Sequence, residues 1–285
     1  MENIRIAIQK SGRLSEKSTE LLGECGIKMA NSDRKLISIA QNYPVELLYL
    51  RDDDIPQYVY DGVADLGMVG ENVVAEKGID VDIVEKLGFA RCRLSLAIQK
   101  AEEYNGPSYF NGKWIATTYP KILDKYLKEN NIRAEIHVIS GSVEIAPSIG
   151  LAESIFDIVS SGSTLISNGL KEVEVIMKSE AVMVATKKLT TGKKKILDDL
   201  LFRIRSVQRA KNYKYVLLNA PNENLDSIID VIPGMKSPTI TPLAQKGWSS
   251  LHSVIREDEF WEIIDKLKAN GAQGILVIPI EKMIL

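Results

Sequence analysis

Apolar and polar residues alternate over 4–8, give way to a polar loop at 9–13, and then follow a helical period from Ser15 to Gly26. The cycle then repeats. Residues 46–50 read as a strand, and Asp54 reads as the N-cap of a helix with Pro56 in its first turn, stopping near Gly62. Residues 64–69 form the next predicted strand, and Gly70 opens a helix that ends at Gly78. Beyond 89 the pattern starts afresh, with strands at 93–98, 114–117 and 135–139, a helix at 122–129 and a short one near 143–146. Strands follow near 172–177 and 181–185. Strands alternating with helices predict mainly parallel sheets with helices on both faces, here in two α/β lobes. Segments 64–71 and 152–159 are alike, each a strand with acidic punctuation running into a small-residue loop. Two such lobes place a ligand in the cleft beyond the carboxyl ends of their strands.

The last segment has a different order. A strand at 213–219, a helix at 223–232 closed by Pro233 and Gly234, strands at 239–241 and 248–255, a helix at 258–269 and a strand at 274–278 spell βαββαβ. That order is ferredoxin-like and suits either an effector-binding or an oligomerisation domain. The stretch 187–209 is rich in Lys and Arg, yet Leu197, Leu200, Leu201, Ile204 and Val207 recur at helical spacing. It is predicted to be a solvated connecting helix rather than a nucleic-acid surface. The expected limits are 1–92 with 182–210 for the first lobe, 93–181 for the second and 211–285 for the last domain.

Composition narrows the class. The 285 residues are 45% hydrophobic and 26% charged with a net charge of −2, so there is no electrostatic footprint for nucleic acid or an anionic membrane. No apolar run approaches the roughly 18 residues that span a bilayer. The chain enters a strand at once, without a basic-then-apolar leader, which points to the cytoplasm. Cys25 and Cys92 form no CxxC pair, and His137 and His252 are the only histidines. A disulfide scaffold, a zinc site and a serine–histidine triad are therefore disfavoured. Cys25 is expected in the core, and His137, inside a strand, in a structural role.

The richest local signal lies at 153–165. A short apolar strand carries one carboxylate, Asp157, and runs into Ser160, Ser161, Gly162, Ser163 and Thr164 before a helix start. Free backbone N–H groups, hydroxyl donors and the helix N-terminus there would cradle a phosphate. The alternative is a serine-rich turn that only caps the helix. Other chemistry falls in loops after strands: Lys10 and Arg13 around Ser11-Gly12, Arg51, Glu71 after Gly70, and Glu144 after Ser140-Gly-Ser142. Lys and Arg there suit polyphosphate, whereas Asp52 and Asp53 are better read as capping and surface charge. A carboxylate such as Glu144 beside phosphates suggests Mg²⁺. No Walker A or GxGxxG motif is present, so the residues alone indicate a cleft enzyme or binding protein for a phosphorylated ligand.

The chain resembles the long-form ATP phosphoribosyltransferase family. The motifs that carry the resemblance are Ile6-Ala-Ile-Gln-Lys-Ser-Gly-Arg-Leu14, Arg51-Asp-Asp-Asp-Ile-Pro56, Asp61-Gly-Val-Ala-Asp-Leu-Gly-Met-Val-Gly-Glu-Asn72, Cys92-Arg-Leu-Ser-Leu96, Ile115-Ala-Thr-Thr-Tyr-Pro120, Gly141-Ser-Val-Glu-Ile-Ala-Pro147, the 157–165 loop and Pro279-Ile-Glu-Lys-Met283. They run in family order over almost the whole chain. The family usually has Thr where Ser161 stands, a change that keeps the hydroxyl.

The resemblance implies a two-lobed, periplasmic-binding-protein-like (type II) catalytic core and a ferredoxin-like regulatory domain. It implies Mg²⁺-dependent transfer of phosphoribosyl from 5-phosphoribosyl 1-pyrophosphate (PRPP) to N1 of ATP, with release of pyrophosphate, as the first step of histidine biosynthesis. The enzyme would be feedback-inhibited by histidine and would exist as dimers and hexamers. By the same resemblance, Asp157 and residues 160–164 would hold PRPP, with Asp157 on the ribose hydroxyls. Lys10, Arg13, Arg51, Gly70, Glu71 and Tyr119 would line the ATP side. Lys10, Arg51, Glu144 and Asp157 would carry catalysis, Glu144 and Asp157 would meet the metal through substrate phosphates, and Asn219, Ser237 and Thr239 would bind histidine. A solute-binding protein and a non-catalytic PRPP or nucleotide sensor remain the rival readings of such a core.

Overall fold

The computed structural model describes residues 2–30, 36–232, 234 and 237–284. The elements in chain order are β1 (Ile4–Gln9), α1 (Arg13–Glu24), β2 (Ile37–Ile39), β3 (Val45–Leu50), α2 (Ile55–Tyr60), β4 (Leu66–Gly70), α3 (Glu71–Lys77) and β5 (Asp82–Lys86). Next come β6 (Cys92–Gln99), β7 (Trp114–Thr117), α4 (Pro120–Glu129), β8 (Glu135–Val138), β9 (Ser154–Val159), α5 (Ser163–Ser167), β10 (Leu170–Ser179) and β11 (Ala181–Ala185). The chain continues through α6 (Thr191–Lys211), β12 (Tyr213–Pro221), α7 (Leu225–Val231), β13 (Thr239–Pro242), β14 (Trp248–Arg256), α8 (Glu257–Ala269) and β15 (Gln273–Pro279). The described chain divides into two compact units: residues up to Leu197 apart from Glu24–Gly26 form one, and Glu24–Gly26 with Asp198 onward form the other.

The first unit holds two sheets built to one plan. Their orders are β2-β3-β1-β4-β11-β5 and β10-β6-β9-β7-β8. In each, three parallel strands (β3, β1 and β4; β8, β7 and β9) are followed by one antiparallel strand and then a strand parallel to the first three. The antiparallel strand is in each case the first one after the chain crosses between lobes: β6 follows β5, and β11 follows β10. This is the type II two-lobed core, and it corrects the expectation of mainly parallel sheets. A chain that crosses into a lobe enters against the direction of the strands already there. The matching segments 64–71 and 152–159 become β4 and β9, which take the same place in the two orders.

Apolar faces hold these layers together. Ala7, Leu48, Val69, Val182 and Val184 pack with Ile55, Val59 and Val73 in the first lobe. In the second, Leu94, Leu96, Phe156, Leu123 and Leu127 fill one side of the sheet, and Ile155, Val159, Val143, Ala146 and Leu165 the other. Asp54 precedes α2 as expected but makes no side-chain capping bond, because 52–54 coil into a 3-10 turn of their own. The short helix expected at 143–146 is likewise a 3-10 turn, Val143–Ile145.

The second unit contains a sheet of order β13-β14-β12-β15, the ferredoxin-like arrangement read from the sequence. Val216, Leu218, Ala220, Leu251 and Ile255 pack against Ile228, Phe260, Ile263 and Leu267 of its helices. Pro233, expected to close α7, lies outside the described residues. No helix among the described residues is long and apolar enough to cross a membrane.

Candidate functional site

The site grows from the carboxyl ends of equivalent strands. In the first lobe β1 and β3 run side by side, with Gln9 opposite Leu50, so Lys10 and Arg51 emerge together and the Lys10 amide donates to the Leu50 carbonyl at 2.8 Å. Arg13 begins α1, and β4 ends on Gly70 with Glu71 opening α3. Lys10, Arg13 and Arg51 are all exposed. This strand-end row is cationic, with Glu71 at its margin 3.6 Å from Lys86.

The second lobe answers with hydroxyls and acids. Tyr119 follows β7, Glu144 follows β8 and residues 160–164 follow β9. Gly141 and Ser142 are both left-handed, with φ of 78° and 50°, and turn the chain sharply before Glu144. Gly162 is left-handed at φ 81° and lets the chain double back into α5. Ser160, Ser161, Ser163 and Thr164 are exposed, the hydroxyls of Ser161 and Ser163 lie 3.0 Å apart, and Ile166 donates back to the Gly162 carbonyl. Since α5 has only five residues, the cradle rests on local N–H and O–H donors more than on a helix dipole. Arg93 fixes the loop from below by donating to the Ser160 carbonyl at 3.0 Å while paired to Glu172.

Asp157 is the electrostatic centre. It lies on the same face of β9 as Ile155 and Val159, where Val143 packs, so Glu144 is its neighbour. Burial pushes its carboxyl up to about 6 from an ordinary 3.8, with the charge of Glu144 adding to the rise and a hydrogen bond from the Ile158 backbone opposing it. The Tyr119 phenol is also raised, first by burial and then by the charge of Asp157. Tyr119, expected on the ATP side, thus lies within the field of the PRPP-side acid.

Sequence reasoning missed Asn72. It is 4% exposed, its amide N–H donates to Ser179 Oγ at 3.0 Å, its Oδ1 accepts from the same hydroxyl at 2.9 Å, and its Nδ2 reaches the Tyr119 hydroxyl at 3.3 Å. A side chain at Gly70 would meet Asn72 Oδ1 at 2.4 Å, so the glycine is fixed by this amide. The available signal was a polar residue just inside a helix start, at a position that packs inward.

In the second unit, Asn219 and Thr239 lie on the open face of the sheet, but not side by side. β14 runs between them, with Ser250 opposite Asn219 and His252 opposite Thr239. His252, also missed from sequence, centres that face, with Nδ1 2.8 Å from the Tyr215 hydroxyl and Nε2 3.1 Å from Ser250 Oγ. Ser237 is exposed just before β13. His137 packs beside Trp114, ring centres 5.7 Å apart.

The chain matches the family model described as HisG, ATP phosphoribosyltransferase, over residues 51–206, and the model of the HisG C-terminal domain over 210–282. It is 60% identical over 282 residues to an ATP phosphoribosyltransferase of Bacteroides fragilis, covering 99% of this chain and 100% of that protein. It is 59% identical over 281 residues to one from Cytophaga hutchinsonii, covering 99% and 98%. Among solved structures it is similar to the ATP phosphoribosyl transferase (HisG:HisZ) complex from Thermotoga maritima, with a TM-score of 0.62 and 28% identity over 71% of this chain and 98% of that one. By sequence and by fold, the chain belongs to the ATP phosphoribosyltransferase family.

Proposed function

We propose that the first unit transfers the phosphoribosyl group of PRPP to N1 of ATP and releases pyrophosphate, opening histidine biosynthesis in the cytoplasm. Three observations carry this reading: a cationic strand-end row in the first lobe (Lys10, Arg13, Arg51), an acid pair with a hydroxyl loop at the strand ends of the second, and the meeting of the two lobes' strand ends where Asn72 reaches the Tyr119 hydroxyl. The loop at 160–164 holds the 5-phosphate, and Asp157 faces the ribose hydroxyls. As the bond from ribose C1 to the pyrophosphate oxygen breaks, positive charge grows on the sugar ring. The Asp157 carboxylate, held in a partly dry site, stabilises that charge. Lys10 and Arg51 hold phosphates and accept the growing negative charge of the leaving group. Adenine N1 attacks with a lone pair it already has, so no general base is needed, and orientation supplies much of the remainder.

Glu144 and Asp157 fit a divalent cation in part. They are two close carboxylates, one of them pushed up by burial and further by the charge of the other. No group of three His, Cys, Asp or Glu able to hold a metal occurs among the described residues. Other ligands would come from substrate oxygens, which suits Mg²⁺. When bound, such an ion supplies charge neutralisation to the departing pyrophosphate.

The second unit serves as the regulatory domain, with Asn219, Ser237 and Thr239 recognising histidine. Its open sheet face, where Tyr215, Leu276 and Ile278 are exposed, is the surface for self-association into dimers and hexamers. The lobe limits at 92, 181 and 210 belong to this reading. The test is an absorbance assay of N1-substituted adenine with ATP, PRPP, Mg²⁺ and pyrophosphatase, repeated with histidine. Histidine-suppressed signal supports both assignments. Tight PRPP binding with no signal would leave a sensor instead.

A further inference from the structure

Helix α4 of the second lobe has no cap of its own. Tyr119, at the N-cap position, makes no side-chain capping bond, and Pro120, at the first helical position, has no N–H to offer. The next two amides are satisfied from the other lobe. Lys121 N–H donates to one oxygen of Glu76 and Ile122 N–H to the other, both at 3.0 Å. The Lys121 ammonium donates in turn to the Lys77 carbonyl at 3.0 Å. Glu76 lies one turn after Asn72 on α3, so both face α4, and Asn72 reaches Tyr119 immediately before it. Asn72 is itself tied to Ser179, the last residue of β10, just before the chain crosses back to β11.

From this arrangement we propose that Glu76 is a positioning residue for the transfer reaction. It caps a helix of the opposite lobe and so sets the angle at which the cationic strand ends of one lobe face the acid and hydroxyl loops of the other. A carboxylate taking both first-turn amides is a strong, directional contact, since the helix N-terminus carries partial positive charge. If the lobes swing apart, those two N–H groups lose their partners and Tyr119 leaves Asn72. The contact therefore favours the angle seen here over more open ones. Glu76 lies five residues beyond Glu71 on α3, and its two carboxylate oxygens are taken by the α4 amides. Its effect on turnover rests on the phosphoribosyl-transfer reading, whereas its effect on lobe geometry does not.

The test compares full-length wild type, Glu76→Ala and Glu76→Gln. The kinetic readouts are turnover with ATP and PRPP, and PRPP affinity by calorimetry. The geometric readout is the distance distribution between spin labels at Asp61→Cys and Lys125→Cys, one exposed position in each lobe, in a Cys92→Ser background. Glu76→Ala should lower kcat at least about tenfold with PRPP affinity held within about twofold, because the loop at 160–164 stays intact. It should also lengthen or broaden the distance distribution. Glu76→Gln, which keeps one carbonyl acceptor, should recover most of both. An unchanged distance distribution in Glu76→Ala overturns the proposal, and so does a changed distribution with wild-type kcat. If wild type itself fails to turn over, the reaction reading falls alone, and the distances still decide whether Glu76 sets the lobe angle.

Discussion

Asp157→Asn should make the protein more stable and less active together. The folded carboxyl is pushed up to about 6 from 3.8, so ionisation is disfavoured in the folded state. The sign follows from proton linkage. Below about pH 4 the group is protonated both folded and unfolded and contributes no difference. As pH rises through 4 to 6, the unfolded chain ionises first and stability is lost, and above about 6 the full cost is present. At about 1.4 kcal/mol per pH unit the ceiling is about 3 kcal/mol. Asp157 is only half-buried, and water reaching it brings the expectation to about 2 kcal/mol. Asparagine is nearly isosteric and carries no charge, so it removes this cost. Urea unfolding of the full chain, followed in parallel for wild type and variant from pH 4 to 8, should show a gain that opens between pH 4 and 6 and stays level above. Turnover at pH 8 should fall at least about tenfold, because the charge that costs stability is the one that stabilises the ribose cation. A variant no more stable than wild type at pH 7.5, or a gain independent of pH, would refute the electrostatic reasoning. Wild-type turnover would refute the role.

Gly70→Ala has permissive backbone angles, but its methyl would displace the Asn72 amide, so turnover should drop at least about tenfold with a stability loss of about 1–2 kcal/mol, read by kinetics and melting. Lys10→Ala should lower turnover at least about tenfold, about 1.4 kcal/mol, while leaving the melting temperature in place because the side chain is exposed. Lys193→Ala should destabilise by about 2 kcal/mol in urea without touching substrate affinity. Its ammonium sits 2.8 Å from both oxygens of Asp65, a carboxylate in a residue only 6% exposed, and the loss leaves that charge with the Arg5 amide alone. Ser237→Ala combined with Thr239→Ala should relieve histidine inhibition while preserving the uninhibited rate. Unchanged sensitivity in the same assay would reject that placement.

The strand-end loops were legible because each follows an apolar run and is marked by glycine or proline, and the half-buried Asp157 stood out as a lone carboxylate in such a run. The basic stretch at 187–209 was legible as helix from its leucine spacing, and Lys193 shows part of its charge used structurally. Two strands were not legible. Ile37–Ile39 is three residues long, and Asp82–Lys86 carries charges and no fully buried position, so neither shows the alternation of a half-buried strand. The antiparallel entries of β6 and β11 were hidden because pairing direction depends on where the chain comes from and not on local pattern. Asn72 and Glu76 act across the lobes, and no spacing within α3 reveals that. The trace they left was negative, since a helix that begins Tyr119-Pro120 without Ser, Thr, Asp or Asn needs its cap from elsewhere.

The insertion of the second lobe before the last strand of the first has a consequence for synthesis. Every strand of the second lobe, β6 to β10, is made in one uninterrupted stretch, so that lobe can close as soon as it has emerged. The first lobe cannot. One edge of β4 awaits β11, whose Ala181 pairs with Gly70, and β5 has no neighbour in its sheet other than β11. On the ribosome the host therefore stays open until its insert is finished, with an unpaired edge exposed throughout the wait. The charges of Asp82, Glu85 and Lys86, which hid β5 from pattern reading, are those that discourage a stranded strand from pairing with a neighbouring nascent chain.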